Sequence, residues 1–255
     1  MNLTTNGTTD RPAGHRPDGR LTLLCLAHAG GSSAAFASLR AALPGIRTVP
    51  LELPGHGFRM REPVLDDLSG VLEDLIAQSA AHTGGPYVVL GNSMGAALGH
   101  ELARHWSALG RPPAALLAVG RNGPTAGRLH PDLHPLAMPE FLAAIRELGG
   151  TPPQFFDHPE LVELFAPVLR ADFTLAETHR PLPGPPLDCP VWVTAGGADP
   201  MVSAAGLRDW DHHTTGEVHI TRLPGGHFVL DDPAFHAYVA DLLSAALPEA
   251  AAVLA

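Results

Sequence analysis

The 255-residue sequence predicts an α/β fold in which a mostly parallel, doubly wound sheet carries an inserted helical lid. Three observations lead there. LTLLCLA, YVVLG and AALLAVG are short runs that are apolar throughout, as strands buried on both faces of a parallel sheet are. Helical patterns separate these runs, and parallel neighbours need such crossovers. The alternation then breaks from Arg121 to about Pro186, where two helical patterns follow each other with no strand between them; an insertion of that kind covers the ends of the strands.

Taken in order, residues 1–19 are rich in Thr, Asn, Gly, Pro and Arg with almost nothing to bury, so a disordered leader is expected. One domain is expected over 20–246, with the lid at about 122–186 and a frayed tail at 247–255. The first strand is LTLLCLA at 21–27, and the helix AAFASLRAAL after it stops at Pro44-Gly45. A strand around IRTVPLEL and a loop at PGHGFRMREP lead to a helix from Leu65 to His82, where Leu68, Val71, Leu72, Leu75 and Ile76 keep helical spacing. YVVLG is followed by AALGHELARHWSAL, with the helix period at Leu98, Leu102 and Trp106, and then by the strand AALLAVG. MPEFLAAIRELGG and PELVELFAPVLRADFTLAETH form the lid; CPVWVTAGG and EVHITRLPGG resume the sheet, and PAFHAYVADLLSAAL closes it with a helix.

Composition excludes several function classes. A hydrophobic content of 45% supports a full core, while a net charge of −10 and a pI near 5.8 leave no basic surface for nucleic acid or anionic lipid. No stretch of 18 apolar residues exists to span a membrane and the N-terminus has no secretory apolar core, so a soluble, cytoplasmic protein is expected. Cys25 and Cys189 sit in apolar surroundings as buried thiols rather than as a disulfide framework.

The chemistry starts at VVLGNSMGA, residues 88–96. Gly91-Asn92-Ser93-Met94-Gly95 fits G-x-S-x-G, after a buried strand and before a helix. Flanking glycines allow the sharp turn, because a Cβ there would strike the neighbouring strand or helix, and the serine hydroxyl is pushed up at the helix N-terminus. A serine needs a histidine to take its proton and a carboxylate to orient that histidine. In an α/β-hydrolase the chain order is Ser, acid, His, each at a strand exit. Asp199 in GADP follows VWVTAGG, and His227 in PGGH follows HITRL. Asp172 in the lid and Asp188 before its strand are poorer acids; His212, His213, His219 and His236 do not stand at the last strand's exit. For the oxyanion, the N–H of Met94 and that of Ala29, in His28-Ala29-Gly30-Gly31, are the candidate donors.

His130 and His134 are spaced i, i+4, but each precedes a proline and no H-E-x-x-H pattern surrounds them, so no metal is expected. No glycine-rich phosphate loop is present, so no cofactor is expected. His56, in LPGHGFR, either faces the site or caps a turn, the turn being favoured.

The set LCLAHAGGSSAAF, LELPGHGFRMREP, LGNSMGA, MPEFLAAIRELGGTPP, PELVELFAPVLRADFTLAETH, LDCPVWVTAGGADPMV and LPGGHFVL resembles the type II thioesterases of polyketide and nonribosomal peptide synthases, from about Leu21 to Leu243. The resemblance implies an α/β-hydrolase fold, a nucleophile at Ser93, an acid at Asp199, a base at His227 and an oxyanion hole at Ala29 and Met94. It also implies a stand-alone enzyme that hydrolyses acyl groups from the phosphopantetheine arm of an acyl or peptidyl carrier protein, an editing or release step in antibiotic-type biosynthesis. Asn92 stands where the family usually has His, and His56 where it tends toward Arg. A monomer is expected, with a low-affinity carrier encounter helped by Arg59, Arg61, Arg121 or Arg128. Phe141, Leu142, Phe155, Phe156, Leu164 and Phe165 of the lid are expected to line the acyl site. The alternative is an esterase of free small-molecule esters, using the same three side chains.

Overall fold

The computed structural model describes residues 20–246; the expected leader and tail lie outside them. Six strands form one sheet in the order β2-β1-β3-β4-β5-β6, with every neighbouring pair parallel. They are β1 (Thr22–Leu26), β2 (Arg47–Pro50), β3 (Tyr87–Asn92), β4 (Ala115–Val119), β5 (Val191–Gly196) and β6 (Val218–Leu223). The crossover helices are α1 (Ala37–Ala42), α2 (Leu68–Ser79) and α3 (Met94–Ala108), and further on α6 (Ala204–Arg208); α7 (Pro233–Ala246) follows the last strand. Asp67 caps α2 by accepting the Gly70 N–H at 2.9 Å.

The continuous apolar runs are explained by cores on both faces of the sheet. Side chains alternate along a strand, so Leu24, Leu26, Val89, Leu116, Ala118, Val191 and Val193 join Val71, Leu75, Leu98 and Leu102 on one side. Leu23, Cys25, Val88, Leu90, Leu117 and Trp192 join Leu39, Phe235 and Val239 on the other. Among the described residues, no helix is long and apolar enough to cross a membrane.

Between β4 and β5 the chain inserts α4 (Met138–Leu148), a short 3-10 turn (Pro153–Asp157) and α5 (Pro159–Thr178), with no strand among them. The insertion has its own small core of Phe141, Ile145 and Leu169. Its exit is clasped to α3 by a buried carboxylate: Glu101 Oε1 accepts from His179 Nε2 at 3.1 Å and from the Leu182 N–H at 3.3 Å. Arg104 adds hydrogen bonds to the carbonyls of Leu182 and Pro185.

Burial works against charge on Glu101, but hydrogen bonding and charge from the flanking His100 and His179 outweigh it and bring its pKa from 4.5 to about 2. A carboxylate depressed in the folded state stabilises the fold above its unfolded pKa, and that stability is lost as pH falls toward the folded value. The urea midpoint should therefore fall between about pH 4.5 and pH 2, and fall less in Glu101→Gln; equal slopes in the two proteins would remove Glu101 from that role.

Candidate active site

Ser93 leaves the carboxyl end of β3, near the middle of the sheet, at φ 52° and ψ −110°. Among the described residues it is the one non-glycine with positive φ, a backbone state that costs on the order of 1–3 kcal/mol and persists only where the surroundings impose it. The imposing contacts are specific. A Cβ on Gly91 would lie 2.1 Å from the Gly95 carbonyl oxygen, and one on Gly95 would lie 2.2 Å from the Leu26 carbonyl oxygen. The Ser93 N–H is held by the Val119 carbonyl at 2.7 Å, which ties the turn to β4.

Two later strand exits bring the other side chains to this turn. His227, after β6, places Nε2 3.1 Å from Ser93 Oγ and Nδ1 2.9 Å from Asp199 Oδ2. A carboxylate only accepts, so the proton sits on Nδ1 and Nε2 is left to accept from the serine hydroxyl. Asp199, after β5, has its side chain fully buried and is held by the Met201 N–H, which donates to Oδ1 at 2.8 Å. The structure thus brings together Ser93, Asp199 and His227, residues far apart in sequence.

Ala29 lines the same cavity as Ser93, and its N–H has no acceptor among the described residues. Met94 is the first residue of α3, where the leading N–H groups of a helix lack intrahelical partners. One residue before Ala29, His28 also lines the cavity and meets Phe228 edge-to-face at 5.1 Å; Phe228 meets His227 in the same way at 5.1 Å. Burial, and then the nearness of His227, lower the His28 pKa and keep that ring neutral. The sequence signal for His28 was its place in AHAGG, which reads equally well as a plain turn.

The cavity has a volume of about 480 Å³, within the range of small-ligand sites. Its apolar wall is Leu133, Ile145, Leu148, Leu169, Phe173 and Phe228, which corrects the lining expected from the sequence. Phe141 is buried against Phe173, Phe155 meets Phe156 and Phe165 edge-to-face, and Leu164 is exposed. Only the C-terminal part of α4 reaches the cavity, and the aromatic residues stand too early on α4 or beyond its end. Trp210 Nε1 donates to the Arg121 carbonyl at 3.1 Å and Asp209 accepts from the Thr125 N–H at 2.9 Å, fixing the loop that forms the opposite wall.

The arginines divide. Arg59 is paired with Glu62 and Asp74, and Arg128 with Asp132. Arg121 lines the cavity and donates to the Ala176 carbonyl at 3.0 Å; burial, with Arg128 nearby, lowers its pKa to about 10, so it stays charged. Arg61 is exposed, with no ion pair among the described residues. His130 faces the Pro200 carbonyl at 2.7 Å and His134 faces Glu177 at 2.7 Å, so the two rings do not converge. His56 does not line the cavity; it stands at the N-cap of a 3-10 turn (Gly57–Arg59) without a side-chain cap hydrogen bond, and its ring is buried against Asp172 of α5 at 2.9 Å.

The model of the thioesterase domain family matches residues 21–244. The chain belongs to the thioesterase domain family. It is an enzyme that acts on thioesters, as the likeness to type II thioesterases implied. A curated relative, thioesterase PikA5 of Streptomyces venezuelae, is 35% identical over 221 residues, covering 85% of this chain and 78% of the relative. The crystal structure of ClbQ from the colibactin NRPS/PKS pathway superposes with a TM-score of 0.82 at 30% identity, covering 92% of this chain and 99% of that one. The type II thioesterase BorB from the borrelidin biosynthetic cluster gives 0.79 at 36% identity, covering 89% and 94%. These likenesses also establish the α/β-hydrolase fold.

In the thioesterase, Gly95→Ala should cost about 1–3 kcal/mol or more of unfolding free energy, because its new methyl meets backbone rather than a movable side chain. Urea denaturation checks this, and an unchanged midpoint would show that α3 can move away from β1 without loss.

Proposed function

We propose that this thioesterase is a serine hydrolase that releases acyl groups from the phosphopantetheine arm of an acyl or peptidyl carrier protein, as an editing or release step of polyketide or nonribosomal peptide synthesis. The observation that carries the reading is the His227 ring, bridging Ser93 Oγ at 3.1 Å and Asp199 Oδ2 at 2.9 Å beside a cavity large enough for an acyl chain. The carrier as substrate donor is supported by the relatives' place in such pathways.

In the first step Ser93 Oγ bonds to the thioester carbon while its proton passes to His227 Nε2. The oxyanion of the tetrahedral adduct rests on the N–H groups of Ala29 and Met94. Its collapse breaks the carbon–sulfur bond, and the imidazolium gives its proton to the departing thiol. Water then enters, loses a proton to His227 and attacks the acyl carbon; the acid leaves and Ser93 regains its proton. Asp199 holds the imidazole in the tautomer that both steps need. The insertion acts as the lid, and its apolar wall at Ile145, Leu148, Leu169 and Phe173 accepts the acyl chain.

The test is intact-protein mass spectrometry of carrier proteins loaded with acetyl, propionyl or longer acyl groups. Wild type should remove the acyl mass and Ser93→Ala should not. Retention on every carrier, with free oxygen esters still cleaved, would replace the carrier by small-molecule esters as substrate. In parallel, Asp199→Asn should lower kcat by about 10³–10⁴-fold, the scale for losing the orienting acid of such a triad; an unchanged kcat would remove Asp199 from the assignment.

A further inference from the structure

A second buried carboxylate contacts the loop that holds Ala29. On α5, Leu169 and Asp172 stand three apart and so share a face. Both meet Gly30. The Asp172 Oδ2 atom accepts the Gly30 N–H at 2.6 Å, and a Cβ on Gly30 would lie 2.3 Å from Leu169 Cδ2. Gly30 has φ +74°, so residue 30 must supply both a left-handed backbone and a bare Cα against the inserted helix.

Asp172 is itself fixed from the other side. His56 Nε2 lies 2.9 Å from the same Oδ2, and both side chains are buried. The other ring nitrogen, Nδ1, stands 3.0 Å from the Pro54 carbonyl oxygen, which only accepts, so Nδ1 carries a proton. Nε2 also faces an acceptor, and a neutral ring would set two lone pairs against each other. A proton therefore lies between Nε2 and Oδ2. The Gly30 N–H and the His56 ring thus converge on one oxygen of Asp172. Burial opposes the charge on His56, but the hydrogen bond and charge of Asp172 outweigh it and raise its pKa.

The loop is held at two points. The Gly31 N–H donates to the His28 carbonyl at 2.8 Å, and the Gly30 N–H donates to Asp172. The Ala29 N–H, between these anchors, is left without an acceptor among the described residues. We propose that Asp172, paired with His56, is a positioning residue for the oxyanion loop: by holding the Gly30 N–H from α5 it fixes the direction of the Ala29 N–H, so that the catalytic geometry is complete only while the inserted helix is seated. The inference rests on the reading of Ala29 as an oxyanion donor.

The test compares Asp172→Ala and Asp172→Asn with wild type on a propionyl-pantetheine thioester, and measures affinity for an alkyl trifluoromethyl ketone, which forms a tetrahedral adduct on serine. Asp172→Ala removes the acceptor. Its kcat should fall by about 10²-fold or more, the scale of one lost oxyanion donor, with KM changed by less than about 3-fold, and ketone affinity should fall in parallel with kcat. Asp172→Asn keeps a neutral oxygen at the Oδ2 position, which the Gly30 N–H and His56 Nε2 both face, so it should hold kcat within about 5-fold of wild type, since a neutral acceptor replaces a charged one at a cost near one hydrogen bond. Asp172→Thr, one atom too short to reach Gly30, replaces the alanine variant if that variant does not fold.

A variant without the acceptor that loses stability but keeps kcat and ketone affinity would overturn the proposal, as would an asparagine variant as slow as the alanine one. Ser93→Ala, run alongside, separates the two levels. If it stays active, the serine mechanism itself fails; if it is inactive while Asp172→Ala is not slowed, only the positioning role fails.

Discussion

The close approach of α3 to the carboxyl ends of β1 and β3 is the constraint on which the rest of the structure depends. Gly91 and Gly95 permit it, because a Cβ at either position would meet backbone atoms 2.1–2.2 Å away. Once helix and strands are that near, the residue between them has no room for an ordinary turn, and Ser93 takes a positive φ. The strain is a small sum beside the apolar packing that imposes it: Leu98, Leu102 and Trp106 of α3 are buried in the core shared with β1, β3 and β4. The hydroxyl is therefore aimed by the fold rather than by its own hydrogen bonds.

The insertion is fastened to this frame by carboxylates as well as by apolar packing. Glu101 of α3 grips the exit of α5 through His179 and Leu182, while Asp172 within α5 grips Gly30 and His56. A chain of net charge −10 thus places two of its buried acidic groups, Glu101 and Asp172, where imidazoles and backbone amides meet them. Such pairs recover little net stability after desolvation. They are directional, however, and direction is what a helix must have if it is to lie over the loop at Gly30 in one orientation.

Much of the fold was legible because the signals were local. Runs such as TLLCL and ALLAV are apolar at every position because both faces of the sheet are covered. The helical insertion was visible as a break in alternation. Ser93 was legible from its glycines, and Asp199 and His227 from their places after the strands that became β5 and β6. Short elements were harder: α6 and the 3-10 turn at Pro153–Asp157 span too few residues to show a period.

By itself the sequence determined the parallel α/β architecture and the strand exits that carry the three polar side chains, since period and glycine placement are properties of neighbouring residues; the thioesterase family came from the likeness of the whole set of motifs to known members. The tertiary structure decided which residues of the insertion face the cavity and what the His56 ring meets. Phe141 and Phe156 turn into the insertion rather than the cavity because packing, not hydrophobicity, chooses the face. His56 meets Asp172 across 116 residues of chain, a pairing no local pattern encodes, because it exists only where α5 comes to rest on the loop at Gly30.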